Sequence, residues 1–143
     1  MIIKLAIKCV DGAYLREPFE RRVEVREDMT LGGLHELIQQ LTDFDNDHLF
    51  TFFAARHHRG KRVEMVETED WDDERDALDE IVLKEVFPLQ DNRKLFYWFD
   101  FGDDWMFQIT RWGRPKPEEK GMVYPRIIEE VGPKPEQYPR SGG

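Results

Sequence analysis

The sequence predicts an α+β protein, a mixed sheet wrapping one main helix in a β-grasp-like order. Three observations carry this. Apolar residues alternate with polar ones in several short runs, the period-two signature of strands. One segment instead carries apolar residues at helical spacing. The predicted elements then follow one another as strand–strand–helix–strand–strand–helix–hairpin, which is the β-grasp-like feature.

The first strand is read over residues 2–10. Ile3, Leu5 and Ile7 point one way, and Lys4, Ala6 and Lys8 the other. Asp11-Gly12 is a turn signal. Phe19, Arg21, Val23 and Val25 alternate with Glu20, Arg22, Glu24 and Arg26, giving a second strand expected to pair antiparallel with the first. Thr30 is placed to cap a helix, because its hydroxyl can accept from a free backbone N–H. Leu31, Leu34, Leu37, Ile38 and Leu41 form the apolar face of that helix, and Asp43 to Asp47 end it. Leu49 to Ala54 reads as a third strand and Arg62 to Val66 as a fourth, with Arg56 to Lys61 between them. Residues 64–80 are dense in acid; their first part reads as a solvated loop. From about Arg75 a short helix is expected, carrying Leu78, Ile81 and Val82.

The strongest local signal is the aromatic hairpin at 94–112. Leu95, Tyr97, Phe99 and Phe101 share one face, and Phe96, Trp98 and Asp100 the other. After the Gly102-Asp103-Asp104 turn, Trp105, Phe107 and Ile109 oppose Met106, Gln108 and Thr110. Aromatics on both faces predict a central strand covered on both sides. Residues 1–131 are read as one domain, with Tyr124 to Val131 adding a short element. Residues 132–143 are read as an extended Pro/Gly-rich tail.

Composition narrows the function classes. The 143 residues suit one domain. Net charge is −9, from 21 basic and 30 acidic residues, which disfavours non-specific binding to nucleic acid or anionic membrane. Cys9 is the only cysteine and is expected to be a small buried hydrophobe. The apolar N-terminal run is broken by Lys4 and Lys8, and no segment has the roughly 20 apolar residues of a membrane span. A cytoplasmic protein is expected.

The segment Tyr97-Trp98-Phe99-Asp100-Phe101-Gly102-Asp103-Asp104-Trp105 resembles the signature of the plasmid pRiA4b open-reading-frame-three-like family. That family is sometimes described as resolvase-like passengers of insertion elements. Leu34-His35, His48-Leu49-Phe50, Tyr124-Pro125 and Pro135-Glu136 are similar to the family as well. The resemblance implies a link to plasmids or mobile elements and names no chemistry. Many members carry a histidine where this chain has Phe107, and a terminal cysteine that Pro133 to Tyr138 lack.

Three candidate surfaces follow, each with a plainer alternative. Asp100, Asp103 and Asp104 around a Gly turn supply the oxygen ligands that a divalent cation prefers; alternatively they accept backbone N–H bonds within the turn. Arg56, Arg59, Lys61 and Arg62 can grip phosphates or an acidic partner, or be solvated and balanced by the neighbouring acids. Trp98, Trp105 and Trp112 can line a groove, or be core. The leading expectation is a non-enzymatic binding or accessory module with a protein partner. A metal-dependent enzyme at the Asp turn and a nucleic-acid binder at the basic loop are the alternatives.

Overall fold

A computed structural model describes residues 1–67 and 78–138. It holds one antiparallel sheet of seven strands: β1 (Ile2–Asp11), β2 (Glu20–Arg26), β3 (Phe50–Ala55), β4 (Val63–Glu67), β5 (Lys94–Phe99), β6 (Trp105–Lys116) and β7 (Arg126–Val131). Their spatial order is β4-β3-β5-β6-β1-β2-β7. The helices are α1 (Leu31–Thr42) and the single turn α2 (Leu83–Val86). Residues 78–80 are also helical. The acidic stretch over 68–77, and the start of the helix expected from Arg75, lie outside the described residues.

The β-grasp expectation is corrected here. The protein is sheet-dominated, about 40% strand against 15% helix, and every strand pairing is antiparallel rather than mixed. The reason lies in the edge of β1 that β2 leaves free. A β-grasp would set a parallel strand there. Instead β6, the long returning arm of the central hairpin, takes that edge with Leu5 opposite Arg111 and Ile7 opposite Ile109. Alternation tells which face a residue occupies, but not the direction of the neighbouring strand.

The faces themselves follow the alternation. Ile3, Leu5, Ile7, Val23, Val25, Phe52, Leu95, Tyr97, Phe99, Trp105, Phe107 and Ile109 point to the side that α1 covers. Leu31, Leu34, Leu37, Ile38 and Leu41 of α1 meet them, all buried. Thr30 caps the helix, its Oγ1 accepting from Gly33 N at 3.0 Å, and Asp43 ends it in the left-handed region at φ 57°. The other side of the sheet has a smaller cluster of Phe53, Ala55, Phe96 and Met106, with Val10 and Trp98 against it. The β3–β4 loop reaches this cluster, with the His58 ring 6.4 Å from that of Phe96, which is fully buried. At the far edge, β7 pairs with β2 and remains exposed along its length.

Candidate functional site

The turn between β5 and β6 gathers the residues of the family signature. Asp100 and Asp104 both adopt left-handed backbone, at φ 57° and 59°, a region that Asp and Asn enter more readily than other side chains. Asp104 N donates to Asp100 O at 2.7 Å and closes the turn. Asp103 N lies 3.3 Å from Asp100 Oδ1. Asp103 O accepts from Ala13 N at 2.7 Å, which ties the β1–β2 loop to the same turn. Gly12 in that loop leaves room for the Trp105 indole: a Cβ there would sit 2.4 Å from the ring.

The three aspartates do not converge. Asp104 Oδ1 accepts from Trp98 Nε1 at 2.7 Å, on the side of the sheet away from α1. Asp100 is almost buried, and its Oδ2 is 3.3 Å from His48 Nε2. Burial raises the Asp103 carboxyl above its usual range, and the Asp100 charge beside it adds to the rise. Asp47, His48 and Tyr138, which sequence spacing does not mark as site residues, complete this cluster. Tyr138 O–H donates to Asp47 Oδ2 at 3.0 Å and meets His48 Nε2. Burial and the hydrogen bond to Asp47 push its hydroxyl up to about 12. Gln137 joins in, taking Asp45 N at 2.7 Å and donating to Asp47 at 3.0 Å. Three stretches distant in sequence, 45–48, 100–104 and 137–138, thus form one polar clasp. Among the described residues no group of three or more His, Cys, Asp or Glu has a geometry suited to a metal ion.

Three of the four cations of the basic loop have intramolecular partners, although Arg56 and Arg59 stay exposed. Arg59 Nη2 pairs with Asp11 Oδ2 at 2.9 Å, and this bond is the main reason the Asp11 carboxyl titrates low. Arg62 stacks on Phe53 and Trp98, its guanidinium 4.1 and 4.5 Å from the ring centroids. Arg56 Nε donates to Asp91 O at 3.0 Å. Lys61 stays exposed. The tryptophans divide between environments. Trp105 is sealed in the core facing α1. Trp98 lies on the opposite side with Arg62. Trp112 sits farther along β6, with Lys4 and Arg22 4.8 and 5.1 Å from its ring centroid.

A second feature comes from unequal strand lengths. β5 pairs with β6 only from Leu95–Ile109 to Phe99–Trp105, while β6 runs on to Lys116. Beyond Thr110 the β5-side edge of β6 has no strand partner among the described residues. The 87–94 segment borders the step, leaving a notch of about 470 Å³. Phe87, Pro88, Leu89 and Trp112 give it apolar wall, and Arg93, Lys94 and Arg111 give it charge. Arg93 approaches Asp91 at 4.0 Å. Lys94 and Arg111 form no ion pair among the described residues. The only sequence trace of this notch is that alternation persists longer after the DFGDD turn than before it.

An antiparallel sheet with one helical layer, a turn of family-signature aspartates and a cationic notch define the class of protein. The plasmid pRiA4b ORF-3-like protein family matches residues 4–137, and the chain belongs to that family. The chain is similar in fold to the crystal structure of the protein of unknown function MM3350 from Methanosarcina mazei Go1. The TM-score is 0.68 at 23% sequence identity, over 90% of this chain and 68% of that one. A comparison with curated proteins found no match.

Proposed function

We propose that the protein is a non-enzymatic binding module, an accessory to a plasmid or mobile element, and that it binds its partner at the notch between the 87–94 segment and β6. The observation that carries this is the charge there. In a chain of net charge −9, Lys94 and Arg111 have no acidic partner among the described residues and stand beside a half-buried tryptophan and an apolar wall. A concave surface with a few convergent polar groups is the usual form of a binding site. The signature aspartates already have intramolecular roles: Asp100 with His48 and the turn amides, Asp104 with Trp98. The signature therefore reads as scaffold for the sheet that carries the notch.

The test is site-specific photocrosslinking in the host. A benzophenone side chain at Thr110, on the notch wall, is expected to trap a discrete species. The same probe at Val123, which is 81% exposed, is expected not to. Charge reversal of Lys94 and Arg111 should abolish the product. No product from Thr110, or the same product from Val123, overturns the reading.

A further inference from the structure

We infer that the notch takes a compact organic anion, a single phosphate or carboxylate group on a small apolar body. The inference rests on the binding-module reading and names the ligand chemistry of that same site. Four observations support it.

The first is size. At about 470 Å³ the notch falls within the roughly 300–1,000 Å³ of small-molecule pockets. The second is the donor set. The planar guanidinium forks of Arg93 and Arg111 match the oxygen geometry of phosphate and carboxylate, and Lys94 adds a point charge. Among the described residues, Asp91 is the one acid paired with these cations, at 4.0 Å from Arg93, so an incoming anion displaces little. The third is the apolar part of the lining. Phe87, Pro88, Leu89 and Trp112 can cover an apolar group, and this favours an aryl or alkyl anion over a bare inorganic one.

The fourth decides between a small molecule and a peptide strand. An open strand edge invites an added strand, but this one is blunted. Gly113 has φ +69°, and the pairing register with β1 slips between Ile2 and Lys4, opposite residues 112–116. Pro115 offers no N–H. A bulge and a proline are the devices that keep added strands away from an edge. The notch is thus open to a ligand but poorly made for β-addition.

The experiment is a ¹H–¹⁵N titration of the full chain with four probes: inorganic phosphate, phenyl phosphate, benzoate and an acidic octapeptide. The expected result is saturable movement of the Thr110 and Arg111 amides and the Trp112 indole N–H. Phenyl phosphate or benzoate should bind about tenfold more tightly than inorganic phosphate. Arg111→Gln should weaken that binding about tenfold, since it removes a charge-assisted hydrogen bond. Lys94→Met gives an independent check, and far-UV circular dichroism confirms that both variants fold. A preference for phenyl phosphate assigns a phosphate ligand and a preference for benzoate a carboxylate; both support the inference. No saturable response at the notch overturns it, as does binding unchanged in both variants. Movement with the octapeptide alone overturns the small-anion inference while leaving the binding-module reading intact. A failure of the Thr110 crosslink would remove that reading too.

Discussion

Tyr97→Phe is the sharpest test of how the core is built. The Tyr97 hydroxyl is fully buried on β5 and joins two side chains of α1. Gln39 Nε2 donates to it at 2.9 Å, and His35 Nδ1 lies 2.5 Å away. Asn46 Oδ1 can only accept, so in the neutral ring Nδ1 of His35 is the acceptor and the Tyr97 hydroxyl donates to it. His35 Nε2 then carries the ring hydrogen and donates to Asn46 Oδ1 at 2.8 Å. The imidazole is neutral, with both nitrogens in use, and it stacks on Phe50 at 3.8 Å between centroids. Removing the hydroxyl leaves the Gln39 donor and the His35 acceptor unsatisfied in the core. At about 1–3 kcal/mol for each buried orphan, and allowing some relaxation, the expected loss is roughly 2–4 kcal/mol. Urea denaturation measures it. Adding Gln39→Leu should not recover the loss, because Gln39 Oε1 also accepts from Asn46 N at 3.0 Å and its removal trades one orphan for another. A loss below about 0.5 kcal/mol for Tyr97→Phe would refute this account of the network. The same geometry sets a pH dependence. Burial holds the His35 pKa below its ordinary 6.5, with Glu36 partly opposing. Below 6.5 the unfolded chain therefore binds more protons than the folded one. The His35 contribution is full above 6.5 and is lost as pH falls toward the folded value. The slope is at most about 1.4 kcal/mol per pH unit. His35→Gln should flatten the slope, and an unchanged slope would assign it to other groups.

Three further outcomes follow from local geometry. Thr30→Ala removes the acceptor for Gly33 N and should cost about 1 kcal/mol in chemical denaturation. Gly132→Ala places a Cβ 1.7 Å from Pro18 O at φ +78°, so β7 should detach from β2, read as lost amide-exchange protection at Ile127 to Val131 with β1 still protected. Asp104→Ala frees the Trp98 indole, and tryptophan emission should shift to the red. An unmoved spectrum would mean that Arg62 and Phe101 alone fix the ring.

What was legible in the sequence was local. The facing of Ile3, Leu5 and Ile7, the Thr30 cap and the two-sided aromatics of β5 each depend on residues a few positions apart. The direction of pairing depends on residues far apart, such as Leu5 and Arg111, and the alternation is the same for parallel and antiparallel neighbours. The same blindness hid the sites. Arg93 and Arg111 reach one notch only through the β5–β6 register. Tyr138 reaches Asp47 only because the chain passes along β7 and then past the C-terminal end of α1, where Lys134 pairs with Asp43 at 2.8 Å. The divergence of Asp104 from Asp100 was hidden for a smaller reason: two left-handed residues reorient the turn, and Asp tolerates that conformation without announcing it.

The clasp has a consequence for the order of folding. It joins residues 45–48 to residues 137–138, a separation of about 90 positions. During synthesis the sheet can assemble through β6 while Gln137 and Tyr138 are still inside the ribosome. Until they emerge, the Asp45 amide must bond to water, Asp47 keeps only His48 of its clasp partners, and His48 has Asp47, Asp100 and the Phe99 ring beside it. The segment that closes the clasp is thus a latch fitted last, and it seals the helix–strand corner only in chains synthesised past Tyr138.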